Sequence, residues 1–265
     1  MFAYEQTLMN DIFIEVANCI LQKKAGVLCL ITSTCGSTPR KAGSRMIVWP
    51  DGSVTGSIGG GATEKEVIQI SLGIIDTDSP LMLHFDLTPA NGQECGGSLD
   101  IYLEPVGRVS RVLIFGAGHI GREVARLAKQ FNFIPILIDN RPGFTSQKNL
   151  SEFECIEGEY SVIINNLQLG MHDYCLVCTH QHTFDIEVTA ALAPYPLAFL
   201  GMIGSQRKIA TAKQRFTTEF GLSEAQIASI NMPVGLPFVA ETPEEIALSI
   251  VGGLIDVRNK KKGLK

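Results

Sequence analysis

Two glycine-rich stretches of this chain carry the residue types that hold an anion. Residues 56–66 read GSIGGGATEKE. Gly59, Gly60 and Gly61 can present successive backbone N–H groups, and Ala62 or Thr63 can open a helix behind them, the makings of an anion-binding nest. Just upstream, STPRKAGSR sets Arg40, Lys41 and Arg45 together in a chain that is acidic overall. The same glycines could equally serve a tight crossing between packed elements.

The second stretch, GAGHIG, places Gly116, Gly118 and Gly121 at the spacing of a dinucleotide-binding loop. Its context strengthens it: RVLIF is a short apolar strand, REVARLAKQF a helix, and IPILID a buried strand that ends in Asp139, about twenty residues beyond the loop. The glycines permit the turn, the approach of a pyrophosphate and close helix packing, while the helix N-terminus offers free N–H groups and a positive dipole end. Asp139 would accept from a ribose hydroxyl, and Arg141 leaves a 2′-phosphate open as the alternative. His119, inside the loop, would lie close to a bound pyrophosphate. The other reading is a Rossmann unit that has kept the turn and lost the ligand.

Further side chains lie just past apolar strands, at the edge where open α/β sheets bind ligands. THQHTFD carries His180, His182 and Asp185, and GSQRK carries Gly204, Ser205, Arg207 and Lys208. Two histidines and a carboxylate could ligate a metal, but the pattern has little specificity. Lining a cleft, hydrogen bonding and helix capping are the alternatives, and no metal is expected. GSQRK could offer positive charge and a helix N-terminus to an anion.

The chain has seven cysteines, an odd number without a secretory signal, which points to reduced thiols in the cytoplasm. Cys175 and Cys178 lie in the apolar run DYCLVCT and face opposite sides of a strand, so they read as buried core residues. Cys35 and Cys95 stand beside glycines in TCGSTPR and ECGGS, where a thiol could be accessible.

These residues need elements to position them. Leu8, Ile12, Val16, Cys19 and Ile20 recur at helical spacing over residues 5–24, ahead of Gly26. VLCLITS, SRMIVWP and SVTGSI then read as strands, the last two joined by the turn Asp51-Gly52; residues 63–73 read as a helix, and LMLHFDL and SLDIYLEPV as strands. Beyond a boundary at residues 107–110 the pattern alternates strand and helix, with DYCLVCT and LAFLGMI as further strands. Thr242-Pro243-Glu244-Glu245 opens the closing helix through a capping box. The fold class is therefore α/β: a mixed α/β domain over residues 1–107 and a Rossmann-type, doubly wound parallel sheet over 108–265. At 265 residues, 45% apolar and 18% charged, the chain is long enough for two cores. It lacks the roughly 18 to 20 uninterrupted apolar residues of a membrane span. A net charge of −5 argues against nucleic acid as partner.

GSTPRKAGSRMIV, GSIGGGATEKEV, ECGG, LIFGAGHIGREVARLAKQFNF with IDNRP, CTHQHTFDIEV, GMIGSQRK, MPVGL and ETPEEIALSI together resemble the XdhC/CoxI family, the xanthine dehydrogenase accessory factors, over essentially the whole chain. The resemblance implies an N-terminal XdhC/CoxI domain and a Rossmann domain. It implies a chaperone that binds molybdenum cofactor, as molybdopterin or its nucleotide form, protects it during exchange of an oxo for a sulfido ligand, and helps to insert it into a molybdenum hydroxylase. Partners would be a xanthine dehydrogenase-like target and a cysteine desulfurase; a homodimer is an arrangement it allows. Carried over by position, the cofactor-contacting set is Gly36, Ser37, Pro39, Arg40, Gly59, Gly60, Gly61 and Cys95 from the first half. The second half adds Gly116, Gly118, His119, Gly121, Asp139, His180, His182, Ser205 and Arg207. Cys35 and Cys95 are the candidate thiols for holding molybdenum or sulfur. The rival reading is an NAD(P)-dependent oxidoreductase acting on a small molecule, with His119 or His180 as proton donor. A metal-dependent hydrolase built on His180 and His182 is a third.

Overall fold

The computed structural model describes residues 12–19, 24–75, 79–87, 96–107, 110–145 and 150–261. Cys95 and the first turns of the expected opening helix lie outside these residues. The chain divides into two compact units, Met1–Arg108 and Val109–Lys265.

In the first unit a helical stretch at 12–19 (α1) precedes β1 (Gly26–Cys35), β2 (Arg45–Val48) and β3 (Val54–Gly56), then α2 (Gly61–Ile74), β4 (Leu81–Asp86) and β5 (Ser98–Val106). The strands form one antiparallel sheet in the order β3-β2-β1-β5-β4. The period of two in β1 sorts its side chains between two cores. Val27, Cys29 and Ile31 pack with Val67 of α2, whereas Leu28 joins Ile12 and Val16 of α1, Ile47 and Trp49 on the opposite face. The Asp51-Gly52 turn joins β2 to β3: the Gly52 N–H donates to Trp49 O at 2.9 Å, and Asp51 Oδ1 accepts from the Ser53 N–H at 2.9 Å.

The second unit runs β6 (Arg111–Phe115), α3 (His119–Gln130), β7 (Ile134–Asp139), β8 (Glu154–Glu157), α4 (Tyr160–Asn166), β9 (Asp173–Val177), α5 (His182–Leu192), β10 (Phe199–Met202), α6 (Gln206–Thr218), α7 (Glu224–Ser229) and α8 (Pro243–Lys261). All five strands are parallel, in the order β10-β9-β6-β7-β8. The order reverses at β6, so a crevice opens between the carboxyl ends of β6 and β9. Leu113 and Phe115 face one core with α4, α5 and α6; Val112 and Ile114 face the other with α3 and α8. Full burial of each such side chain stabilises by about 1.5–3 kcal/mol. Cys175 and Cys178 enter opposite cores, as the strand period predicts. The expected capping box is present at α8: the Glu245 N–H donates to Thr242 Oγ1 at 3.2 Å, and Glu245 Oε2 accepts from the Thr242 N–H at 3.1 Å. No helix among the described residues is long and apolar enough to cross a membrane.

Candidate functional site

In the second unit the glycine loop is built by close approach. Gly116 has φ 121°, and a Cβ there would collide with the Cys178 carbonyl; one on Gly121 would collide with the Gly116 carbonyl. Gly118 is different, because a Cβ on it would meet nothing within 4 Å. It precedes α3, whose N-terminus has no side-chain cap and no acidic residue in the first turn. No side chain thus caps this helix end, where backbone N–H groups and the positive dipole end favour an anion. His119 is exposed beside them.

Asp139 does something other than expected. Its side chain is fully buried, and its two oxygens receive four donors. Oδ1 accepts from the Arg141 N–H at 3.1 Å and Arg141 Nε at 2.8 Å; Oδ2 accepts from the Ala117 N–H at 2.8 Å and Arg141 Nη2 at 2.8 Å. A carboxylate has about four lone-pair positions, so none is left for a ribose hydroxyl. The sequence suggested a ribose contact; in the fold the carboxylate ties the glycine loop to Arg141. Burial raises its pKa, but the hydrogen bonds from Arg141 and the Ala117 N–H outweigh that and hold the carboxyl below its ordinary range. The Arg141 guanidinium lies 3.4 Å from the Phe144 ring centroid, with Arg122 on the same ring at 4.9 Å.

His180, His182 and Asp185 do not make a metal centre. Asp185 is buried and accepts from the Thr179 N–H and hydroxyl, each at 2.7 Å, and it pairs with Lys208 Nζ. His182 is exposed, its Nδ1 4.0 Å from Asp185 Oδ2, and the His180 ring lies 5.5 Å from that of Phe184. Among the described residues no group of three or more His, Cys, Asp or Glu side chains is placed to hold a metal ion. Lys208, suggested as an anion contact, points inward because Asp185 needs a counter-charge. Ser205 caps α6, accepting from the Lys208 N–H at 3.4 Å, and Arg207 stays exposed. Cys178 and Cys175 are buried thiols whose pKa values burial pushes up, so neither is a ready nucleophile.

In the first unit the glycines of GSIGGG take different places. Gly59 is a packing position: a Cβ on it would come 3.1 Å from Pro39 Cβ and 3.6 Å from Arg40 Cγ. The fold thus brings the Pro39-Arg40 turn against the glycine run. The chain's own Glu64 takes donors of this loop, but not as the expected run of three glycines: Gly60 gives its N–H to Glu64, whereas the Gly59 N–H donates to Ser57 Oγ at 3.1 Å. Glu64 Oε2 accepts from the Ile58 N–H at 3.1 Å, the Gly60 N–H at 2.9 Å and the Ser57 hydroxyl at 2.7 Å. Gly60 has φ 75° and, like Gly61, open space where a Cβ would project. Gly36 lies against Gly97, and a Cβ on Gly97 would collide with the carbonyls of Cys35 and Ser37. Cys35 is exposed, whereas burial pushes the Cys29 thiol up to about 11.

Sequence reasoning passed over a polar group on the exposed face of this sheet. Ser33 Oγ donates to Asp100 Oδ2, and His84 Nδ1 lies 2.7 Å from Asp100 Oδ1. The hydrogen bond to Asp100 raises the His84 pKa. The carboxylate stands between the hydroxyl and the imidazole, so the histidine is not placed to take the serine proton, and the group is no nucleophilic triad.

Comparison with known proteins agrees with this division. Residues 112–254 match the XdhC Rossmann domain and residues 19–86 match the XdhC and CoxI family. The chain is 30% identical over 263 residues to the uncharacterized protein YqeB of Escherichia coli (strain K12), covering 96% of this chain and 47% of that protein. It is 27% identical over 178 residues to a probable xanthine dehydrogenase subunit of Bacillus subtilis (strain 168), covering 67% of this chain and 48% of that protein. It thus spans about half the length of these curated relatives. A crystal structure described as a xanthine dehydrogenase from Bacillus halodurans has a similar fold, with TM-score 0.51 and 19% identity, over 92% of this chain and 95% of that one. A Rossmann unit behind a glycine-rich mixed α/β unit, with both family patterns matched in that order, makes the chain a member of the XdhC and CoxI family.

Proposed function

We propose that the protein is a xanthine dehydrogenase accessory factor, which binds molybdenum cofactor and assists its sulfuration and insertion into a xanthine dehydrogenase-like molybdenum hydroxylase. Family membership supports the accessory role, as does the similarity to a probable xanthine dehydrogenase subunit. The observation that carries cofactor binding is the contact of the Pro39-Arg40 turn with Gly59, which leaves Gly60 and Gly61 open beside a cationic segment. A phosphate-bearing cofactor fits Arg40 and Lys41 there; it does not fit the N–H groups that Glu64 already holds. In this reading Cys35, which is exposed, is one of two candidate thiols, with Cys95, for holding molybdenum or sulfur. When bound, the cofactor supplies the molybdenum chemistry, and this chain's residues hold it and shield it from water. Residence in the cytoplasm, as a homodimer, is part of the same reading.

The rival, an NAD(P)-dependent oxidoreductase, is disfavoured by Asp139, which has no acceptor position left for ribose. The test is purification of the full chain with molybdenum cofactor, followed by quantification of bound molybdenum and pterin and activation of apo-hydroxylase. Wild type should retain cofactor and activate, Arg40→Ala should lose retention, and Cys35→Ser should retain cofactor with impaired sulfuration. Retention of NAD without pterin would overturn the proposal.

A further inference from the structure

The two sheets end in β3, β4, β8 and β10, and three of these edges are short, charged or bridged. β3 has three residues and stops at Gly56, whose φ is 84°. β8 has four residues with an exposed glutamate at each end. β10 is bridged by Asn231, whose N–H donates to Leu200 O at 2.8 Å and whose carbonyl accepts from the Met202 N–H at 3.0 Å. β4 is different: LMLHFD runs six residues without proline, lysine or bulge, and no strand flanks its outer side among the described residues. An edge of that kind is a template for another strand, and native folds rarely leave one bare.

The register of β4 fixes what its edge offers. The Leu87 N–H donates to Gly97 O at 2.8 Å, so in the alternation of an antiparallel ladder Leu81, Leu83 and Phe85 direct their backbone groups to β5, and Met82, His84 and Asp86 direct theirs outward. The side chains alternate too. Leu81, Leu83 and Phe85 lie on the core face yet are only half-buried. Met82, His84 and Asp86 stand on the other face, Met82 61% exposed and the His84 and Asp86 side chains 58% and 66%. His84 has a carboxylate on either side, Asp100 Oδ1 at 2.7 Å from Nδ1 and Asp86 Oδ1 at 3.4 Å from Nε2, which favours the imidazolium.

We propose that the outer edge of β4 pairs antiparallel with β4 of a second copy of this chain, about a two-fold axis at Phe85. The pairing rests on the homodimer of the proposed function and gives it a surface. In this register the strand is complementary to itself. His84 stands opposite Asp86 of the second copy, and Asp86 opposite its His84, so opposite charges alternate both along and across the two strands. On the core face Phe85 stands opposite Phe85 and Leu83 opposite Leu87, in the closer pairs of the ladder, and each copy covers the half-buried flank of the other. A slip of two residues would set His84 against His84 and Met82 against Asp86, which loses the charge pairs and fixes the register.

The test is sedimentation equilibrium of the full chain, with native mass spectrometry to count mixed dimers and circular dichroism to establish that each variant is folded. Wild type should be a dimer. Asp86→Lys sets a lysine against His84, and His84→Glu sets a glutamate against Asp86, so each alone should weaken self-association about tenfold. Mixed together, the two variants bring opposite charges to both pairs, and their heterodimer should form as tightly as the wild-type dimer. His84→Pro removes an N–H that points outward, so its own sheet keeps its ladder while pairing is blocked, and it should be a monomer where wild type is a dimer. The readout is mass rather than cofactor, so this surface and the cofactor reading fail separately. A monomeric wild type, which would leave the edge to a different partner, wild-type association of Asp86→Lys or His84→Pro, or a mixture of folded variants that stays monomeric would overturn the proposal.

Discussion

Arg141 grips Asp139 with a fork, Nε to Oδ1 and Nη2 to Oδ2, both at 2.8 Å. The carboxylate is fully buried and the guanidinium partly exposed on Phe144. Removing the fork leaves a buried charge with only backbone donors. Arg141→Ala should therefore destabilise the protein by about 3 kcal/mol, and Arg141→Lys by less, since lysine keeps the charge without the planar geometry. Urea unfolding of the second unit checks both.

The same pair gives a pH signature. The folded carboxyl of Asp139 is held below its ordinary value, with burial opposing the shift and the donors outweighing it. Its contribution is then fully present above the unfolded value of about 3.9 and is lost as pH falls through the folded value. Wild type should lose stability as acid is added below about pH 4, and Arg141→Ala should lose less over that range. Equal acid dependence in the two proteins would assign the effect to other carboxylates.

Glu64 holds three donors of the first unit, so its loss should be felt locally. Glu64→Ala strands the Ile58 and Gly60 N–H groups and should cost about 1–3 kcal/mol, while Glu64→Gln, which still accepts, should cost less. If the vacated nest then takes an anion, added phosphate should stabilise Glu64→Ala more than wild type. Melting temperatures with and without phosphate give the readout.

The β6–α3–β7 unit was legible because its order of strand, glycine loop, helix, strand and acid is local in sequence. The roles of Asp139 and Glu64 were not, because each depends on what the folded loop turns toward it. For Asp139, Arg141 stood two residues away, but only the rotamer decides whether it meets a ligand or the carboxylate. Glu64 lies one position past the usual capping-box acid, and its donors come from the preceding loop. β8 escaped notice because ECIE is a short edge strand with both glutamates exposed, so it lacks an apolar run.

The thiols should separate by burial. Cys35 is exposed, whereas Cys29, Cys175 and Cys178 are buried with their pKa values pushed up. A maleimide pulse on the native protein, read by peptide mass spectrometry, should label Cys35 and leave those three unmodified until denaturant is added. Native labelling of Cys175 or Cys178 would show that the Rossmann core opens on the timescale of the pulse.

Lys208 and Asp185 supply the sharpest test of the histidine-rich edge. Both side chains are largely buried, at 9% and 2% exposure, and Asp185 also accepts twice from Thr179. Lys208→Met leaves the carboxylate without its counter-charge and should cost about 3–5 kcal/mol, whereas Asp185→Asn strands the ammonium instead. In the double variant neither charge is buried, so much of the loss should return; the coupling read from the double-mutant cycle should exceed about 1 kcal/mol. A metal centre at His180, His182 and Asp185 would behave otherwise: the cost of Asp185→Asn would depend on added zinc and would be independent of Lys208.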